Sequence, residues 1–285
     1  MNILVTGANG FIGKYICNRL NEDGHKIYKL VNSIKETSKN TFGINLTDTI
    51  AIKELAVKLN EIGKIDIIIH LATKMINSSQ DNANQFEVFM DNVLMYRNIV
   101  ELSKLLAIRK IINFSTIGVY PNEDGLFGEE SKVYMAGNAE CYYGLSKFCG
   151  ENILAHELEP IGIDVINLRV AQVYGEGMRS DRVYSMMKSE LMTSNKITVF
   201  GNGERMSNFI EIKILFEFLT FFIENKVTGV FNIGDESISY KALALKIIKT
   251  YGNENSFIVS KEAGLKSKFL LDVTKSKKML DGRKL

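Results

Sequence analysis

The sequence predicts an α/β fold built on a doubly wound parallel sheet with helices on both faces. Over the first two-thirds of the 285 residues, short runs rich in Ile, Leu and Val alternate with longer amphipathic segments. Alternation of strands and helices favours parallel pairing. The apolar runs also lack strict polar alternation, which is typical of strands that are buried on both faces.

The apolar runs predict strands that follow one another along the chain. In order they cover residues 3–5, 26–31, 65–71, 110–114, 164–169, 197–200 and 230–233. Helical periodicity is found at residues 12–22, 49–59, 86–106 and 143–157. The pattern loosens near Gly175 and the later strands are more widely spaced. We therefore expect a first domain over residues 1–169, completed by part of 205–235, and a smaller, discontinuous lobe over 170–285.

Composition and charge exclude several classes of protein. The 35 basic and 33 acidic residues leave a net charge of +2, which gives no reason to expect nucleic acid or membrane as a partner. The three cysteines form no CxxC pair, so neither disulfides nor a metal site is expected. The most apolar stretch, residues 214–223, is shorter than the roughly 20 residues that span a bilayer. A strand begins at once without a signal peptide, and we expect a cytoplasmic protein.

A glycine-rich turn separates the first strand from the first helix. Gly7 allows a tight exit from the strand, Gly10 lets the backbone approach a pyrophosphate, and Gly13 lets the helix pack closely on the sheet. The phosphates of a dinucleotide would then meet the unpaired N–H groups and the positive dipole end of the helix. The spacing is G-x-x-G-x-x-G rather than G-x-G-x-x-G.

The end of the second strand lacks the acidic residue that would bind the adenosine ribose. Val31 and Asn32 occupy this position, with Lys29 and Lys35 nearby. The missing carboxylate removes the main repulsion against a 2′-phosphate and favours NADP over NAD. The alternative, that both lysines only face solvent, is equally compatible with the pattern. Further on, residues 45–48, which include Asn45 and Leu46, are placed to border the adenine.

Tyr143 and Lys147 are spaced i, i+4 and therefore share one helix face. An unperturbed tyrosine titrates near about pH 10, and a neighbouring ammonium lowers that value. Tyr143 can then exchange a proton with a hydroxyl or carbonyl while a hydride moves at the same carbon. Lys147 would also bind the nicotinamide ribose.

A hydroxyl pair follows the strand predicted at 110–114. Ser115 and Thr116 lie at its carboxyl end, where open α/β sheets place their ligands. A hydroxyl at this position can hydrogen-bond the reacting oxygen and polarise it. Thr116 is the first choice for this role and Ser115 the reserve.

Taken in order, these motifs resemble those of the extended short-chain dehydrogenase/reductase family, in particular its NAD(P)-dependent epimerase/dehydratase group. The similar segments are residues 5–13, 68–72, 92–93, 115–120, 143–147, 169–175, 201–203 and 232–234. The resemblance implies a Rossmann-type sheet with a small C-terminal substrate-binding lobe. It also implies a nucleotide-diphosphate sugar as substrate, NAD(P)(H) as cofactor, and a homodimer formed through the helices at 86–106 and 143–157.

The resemblance completes the set of expected site residues. The catalytic residues are Thr116, Tyr143 and Lys147. The cofactor-binding residues are Gly7, Asn9, Gly10, Phe11, Ile12, Gly13, Asn32, Asn45, Leu46, Leu71, Ala72, Thr73, Asn92, Ser115 and Lys147. The substrate-binding residues are Thr116, Tyr143, Gln172 and Arg205. His70 and Cys141 are expected to be packing residues.

Departures from the family pattern narrow the activity. Ile117 and Gly118 replace the Asp-Glu pair that sugar 4,6-dehydratases use as acid and base, so we reject 4,6-dehydration. Gln172 replaces an Asn, and Ser207 replaces an Arg that often grips the diphosphate, for which Arg205 is a substitute. A 4-ketoreductase and a 4-epimerase both stay open, with the reductase slightly favoured. The alternatives are a catalytically inert dinucleotide-binding regulator and a reductase of a non-sugar carbonyl.

Overall fold

A computed structural model describes residues 1–33, 39–75, 84–138 and 140–282. The strands are β1 (Asn2–Thr6), β2 (Lys26–Val31), β3 (Thr41–Gly43), β4 (Ile67–His70), β5 (Lys110–Thr116), β6 (Gly125–Phe127), β7 (Asp164–Val170), β8 (Gln172–Tyr174), β9 (Lys196–Phe200), β10 (Met206–Glu211), β11 (Gly229–Ile233), β12 (Glu236–Ser239), β13 (Phe257–Lys261) and β14 (Phe269–Leu271). The helices are α1 (Phe11–Glu22), α2 (Thr49–Ile62), α3 (Gln85–Leu105), α4 (Cys141–Leu158), α5 (Val183–Ser194), α6 (Ile212–Glu224), α7 (Tyr240–Tyr251) and α8 (Thr274–Asp281).

The predicted α/β fold is confirmed. Each predicted strand is present with its ends shifted by at most two residues, and each predicted helix by at most three. A seven-stranded sheet has the order β11-β7-β5-β4-β1-β2-β3, and the five pairs between β3 and β7 are parallel. Within the described part of the chain, no helix is both long and apolar enough to cross a membrane.

The chain forms two compact units. The first contains the described residues of Met1–Pro121, Lys132–Val170 and Phe216–Phe231, and the second those of Asn122–Ser131, Ala171–Leu215 and Asn232–Leu285. The first unit holds the seven-stranded sheet except for the end of β11, and a core in which α2, α3 and α4 bury apolar side chains against that sheet. Because β1, β4 and β5 are adjacent and parallel, their carboxyl ends meet at one edge, on either side of the point where the strand order reverses.

The second unit has its own sheets and core. Its strands form the sheets β12-β10-β8, β13-β9 and β14-β6, and a core cluster lies among α5, α7, β9 and β10. Asn232 ties distant segments of this unit together, because its Nδ2 donates to the carbonyls of Phe127 (3.1 Å) and Asp272 (3.0 Å). Its backbone N–H donates to the Glu129 carboxylate at 2.8 Å.

Lys110 is a buried lysine in the first unit. Its Nζ donates to the carbonyls of Phe222 (2.7 Å), Ile223 (3.3 Å) and Asn225 (2.6 Å), at the carboxyl end of α6. A cation is favourable there because the last carbonyls of a helix have no intrahelical partner and carry the negative end of the dipole.

We expect Lys110→Met to lower the free energy of unfolding by about 3 kcal/mol, because buried carbonyls lose a charged donor while the apolar stem is kept. The measurement is urea denaturation of both proteins. Lys58→Met, at an exposed position on α2, is the matched control and should stay within about 0.5 kcal/mol of the wild type. Equal losses for the two variants would refute the capping role.

Candidate active site

The turn between β1 and α1 needs glycine at two positions. Gly7 has a positive φ of 67°, and a Cβ on it would lie 2.9 Å from the backbone nitrogen of Ala72. A Cβ on Gly13 would lie only 2.3 Å from the carbonyl oxygen of Gly7. The N–H of Gly10 closes the turn by donating to the same oxygen at 3.0 Å. The turn therefore packs at backbone distance against the first turn of α1 and the segment after β4.

The amino end of α1 suits an anion. Gly10 is its N-cap, the first turn carries no acidic residue, and no side chain of the described chain caps it. The N–H groups that begin this helix, at Phe11, Ile12 and Gly13, are the usual binding groups for a phosphate. Asn9 and Gly10 are exposed at the same turn. The turn has no room for a side chain at Gly7 or Gly13, and no side chain of the described residues caps the first N–H groups of α1. These two features fit a dinucleotide pyrophosphate.

The Thr6 hydroxyl fixes the segment beyond β4. Its Oγ1 accepts from the N–H groups of Leu71 (3.1 Å) and Ala72 (3.0 Å), so its own proton is donated to Nδ1 of His70 at 2.8 Å. Burial, together with the charge of Lys147, lowers the pKa of His70 to about 3. His70 is therefore neutral and structural: it orients the Thr6 hydroxyl, which in turn holds Leu71 and Ala72, the two residues expected beside the cofactor.

Asn92 braces the same loop from α3. Its Oδ1 accepts from the N–H of Lys74 at 2.8 Å and from the hydroxyl of Thr73 at 3.4 Å. Its Nδ2 donates to the Lys74 carbonyl at 3.1 Å and to Oγ of Ser146, on α4, at 3.3 Å. The amide is thus occupied by protein groups, and it supports the loop that carries Leu71, Ala72 and Thr73.

The adenine end of the expected cofactor site is only partly described. Asn32 is exposed just after β2, and Lys35 lies outside the described residues. The side-chain oxygen of Asn45 accepts from the N–H of Thr47 at 3.1 Å. Leu46 is buried, and its carbonyl accepts from Asn98 at 2.8 Å. Asn45 and Leu46 therefore shape the turn before α2.

Thr116 ends β5, next to the start of α4. Its Oγ1 accepts from the N–H of Gly118 at 3.1 Å, so its own O–H hydrogen can point elsewhere. A Cβ on Gly144 would lie 2.5 Å from the carbonyl oxygen of Gly118. The helix that carries Tyr143 therefore packs at backbone distance on the turn that follows Thr116, which brings the predicted catalytic residues to one place.

Lys147 is buried at the centre of this region, with 2% of its surface exposed. Its Nζ donates to the Phe114 carbonyl at 2.8 Å and lies 6.0 Å from the ring centroid of Tyr143 and 5.9 Å from that of Tyr96. Burial lowers the pKa of Lys147 to about 7, while the charge of Glu151 acts in the opposite direction. With a pKa near neutral pH, the protonation of Lys147 is sensitive to small changes in the charge around it.

Ser115 has a different role from its neighbour. It is buried, and its hydroxyl donates to Oε1 of Glu151. This hydroxyl is engaged inside the protein, which leaves Thr116 as the side chain suited to polarise a reacting oxygen.

Sequence reasoning missed a buried ion pair beside the predicted catalytic residues. Arg169 Nε donates to Oε1 of Glu151 at 3.1 Å and its Nη2 to Oε2 at 2.8 Å, while Nη1 donates to the Tyr120 hydroxyl at 3.1 Å. The available signal was spacing, because Glu151 follows Tyr143 and Lys147 at i+8 and i+4 on one helix face. A charged residue inside the apolar β7 was the second signal.

Two residues that depart from the family pattern contact each other in the second unit. Gln172, exposed on β8, donates from Nε2 to Oγ of the buried Ser207 on β10 at 2.8 Å. The guanidinium carbon of Arg205 lies 5.2 Å from the ring centroid of Tyr240. Gln172 and Ser207 together thus form an uncharged hydrogen-bonding pair.

The fold and these residues define a Rossmann-type α/β protein with a glycine turn after its first strand and a Tyr-x-x-x-Lys pair. A model of the NAD-dependent epimerase/dehydratase family matches residues 3–234. The chain belongs to this family, whose members bind NAD, and it is an enzyme of the nucleotide-sugar-modifying type.

Relatives cover nearly the whole chain. An uncharacterized UDP-glucose epimerase of Bacillus subtilis is 25% identical over 98% of this chain and 92% of its own length. The dTDP-4-dehydro-6-deoxyglucose reductase of Escherichia coli is 30% identical over 85% of this chain and 79% of its own length. The structure of UDP-glucuronic acid 4-epimerase from Bacillus cereus, with NAD and a UDP-sugar analogue, superposes with a TM-score of 0.79, at 22% identity, over 99% of this chain and 93% of that one.

Proposed function

We propose that the protein carries out NAD(P)-dependent oxidoreduction at C4 of a nucleotide-diphosphate sugar, with Tyr143 as the acid/base. The observation that carries this proposal is the cluster at the carboxyl edge of the sheet. There Lys147 lies under the Tyr143 ring, and the turn after Thr116 packs on Gly144. Because β5 pairs with β4, and β4 with β1, the loop after β4 and the glycine turn lie at the same edge of the sheet, which supports proton transfer and cofactor binding there.

Each catalytic side chain has a separate task. Tyr143 takes the hydroxyl proton at C4 in the oxidative direction and returns it to the carbonyl oxygen in the reductive direction. The Lys147 ammonium stabilises the tyrosinate form, and Thr116 donates its hydroxyl hydrogen to the reacting oxygen. The dinucleotide, when bound, accepts or supplies the hydride at the same carbon.

A 4-ketoreductase is the favoured form of this activity. Ile117 and Gly118 carry no titratable group, which excludes the acid/base step of 4,6-dehydration at these positions. The 30% identity with the Escherichia coli reductase supports reduction of a 4-keto sugar. The 4-epimerase uses the same Thr116, Tyr143 and Lys147 and stays the second candidate, supported by the relative from Bacillus subtilis.

Release of bound dinucleotide from freshly purified protein separates the two activities. An exchanging reductase should be nearly empty and should then bind NADPH more tightly than NADH. An epimerase regenerates its cofactor and should release nearly stoichiometric NAD. Hydride exchange with labelled cofactor then tests for any catalysis, since an inert regulator shows none with any sugar nucleotide and a non-sugar reductase only with other carbonyls.

The preference for NADP is part of the proposal. Asn32 in place of a carboxylate removes the main repulsion against a 2′-phosphate, and Lys29 lies on β2, the strand that precedes Asn32. Equal affinities for NADPH and NADH would contradict this preference.

We also propose a homodimer through α3 and α4. Phe86 is 55% exposed and Met90 is 47% exposed on α3, and the Phe86 ring contacts Tyr142 of α4 with centroids 6.0 Å apart. Exposed apolar surface of this kind marks interfaces. A separate groove of about 510 Å³ between α2, α3 and α4 is lined by the half-buried Val93 and Ile153 and otherwise mostly by polar and charged side chains. Sedimentation or light scattering should give twice the 32.1 kDa chain mass, and a monomer at all concentrations would refute the dimer.

A further inference from the structure

Glu151 is a buried carboxylate on the catalytic face of α4. It is 4% exposed and lies one helical turn beyond Lys147, which itself lies one turn beyond Tyr143. Its oxygens accept from Ser115 of β5 and from Arg169 of β7. Ser115 and Arg169 together therefore hold this carboxylate in a fixed position between α4, β5 and β7.

Arg169 forms an ion pair with this carboxylate. Its Nε and Nη2 donate to the two oxygens of Glu151, and its Nη1 donates to the Tyr120 hydroxyl. Bidentate guanidinium–carboxylate pairs are rigid and strongly bonded. Burial lowers the pKa of Lys147 to about 7, and the charge of Glu151, which is paired with Arg169, opposes that fall.

Other titratable groups face the Tyr143–Lys147 pair. His70 at the end of β4 is neutral because burial keeps its pKa low. Tyr96 of α3 is fully buried and keeps its proton, since burial raises its pKa. Cys149 of α4 acts on Tyr96 rather than on the pair itself, and burial raises its pKa. Of these described groups around the pair, Glu151 is the carboxylic acid, and it lies one helical turn from Lys147.

We propose that Glu151 is a positioning residue for the reaction: its carboxylate, held by Arg169, sets how readily the Tyr143–Lys147 pair gives up its first proton. The proposal deepens the proposed function, because it concerns the acid/base of that chemistry.

The direction of the effect does not depend on which partner loses the proton. Tyr143 and Lys147 are close enough to titrate as a coupled pair with shared macroscopic pKa values. A nearby negative charge makes every proton of the pair harder to remove. Removal of the Glu151 charge must therefore lower the first macroscopic pKa, whether tyrosinate or neutral lysine forms.

The test is a spectroscopic titration of Tyr143, measured as tyrosinate absorbance and isolated by subtraction of the same titration in the Tyr143→Phe protein. In Glu151→Gln, which keeps the shape and the hydrogen-bonding oxygen, the ionisation should move to lower pH by about one unit. Arg169→Lys keeps the positive charge but loses the bidentate hydrogen bonds to Glu151. The negative charge of Glu151 is then less neutralised, and it acts more strongly on Lys147. That variant should move the ionisation to higher pH.

Glu159→Gln is the matched control. It removes the same charge from an exposed position eight residues further along the chain, roughly 12 Å by helical rise, and should leave the titration in place. An unshifted ionisation in folded Glu151→Gln would overturn the proposal. If that variant does not fold, Arg169→Lys decides alone, and the absence of a shift there overturns it. The titration needs no substrate, so shifted ionisation in a protein inactive on all nucleotide sugars would refute the proposed function only.

Discussion

Tyr143→Phe is expected to lower turnover by about 10³-fold or more while the dinucleotide affinity changes little. The hydroxyl is the proposed acid/base, and positioned proton transfer contributes roughly 10² to 10⁴ in rate. Lys147 keeps its hydrogen bond to the Phe114 carbonyl in this variant, so the cofactor site is preserved. Steady-state kinetics with a nucleotide sugar, together with a cofactor titration, measure the two effects separately.

Tyr142→Phe is the matched control for that experiment. The same atom is removed one residue earlier on α4, where the ring packs against Phe86 and Phe89 with centroids 6.0 Å and 5.9 Å apart. This variant keeps its ring and should keep its activity. Full activity in Tyr143→Phe would show that the acid/base lies elsewhere.

Gly13→Ala is expected to weaken dinucleotide binding by about 100-fold or more. The added Cβ would lie 2.3 Å from the Gly7 carbonyl oxygen and 2.9 Å from the Ala8 Cα, and both are backbone atoms that cannot rotate away. The turn or the helix must shift, which moves the N–H groups away from the pyrophosphate. Calorimetric titration with NAD and NADPH measures the loss, and circular dichroism shows whether the fold persists.

Gly137→Ala provides the comparison, because a Cβ there meets nothing within 4 Å. Its affinity should equal that of the wild type. If a folded Gly13→Ala protein also kept wild-type affinity, the turn after β1 would not be the phosphate site.

Local patterns in the sequence determined the strands and helices that were predicted, and they placed the proposed catalytic pair on one helix. Apolar runs without alternation identified the buried strands, and the i, i+4 spacing of Tyr143 and Lys147 placed both on one helix face. The glycine turn was predictable for a similar reason, because the spacing of its glycines depends on close contacts between residues that are near one another in sequence. In the structure, a Cβ at Gly7 or at Gly13 would clash with backbone atoms.

Tertiary structure alone decided how charges and hydroxyls far apart in sequence are paired. It paired the Ser115 hydroxyl with the Glu151 carboxylate, so Ser115 and Thr116 make different contacts although they are neighbours in the sequence. It also set Lys110 against the end of α6 and paired β6 with β14, across more than a hundred residues in each case. Periodicity states which face of an element is buried, but the partner on that face depends on strand order and helix packing. The environment that tunes Lys147 therefore became visible only when β5, β7 and α4 were brought together.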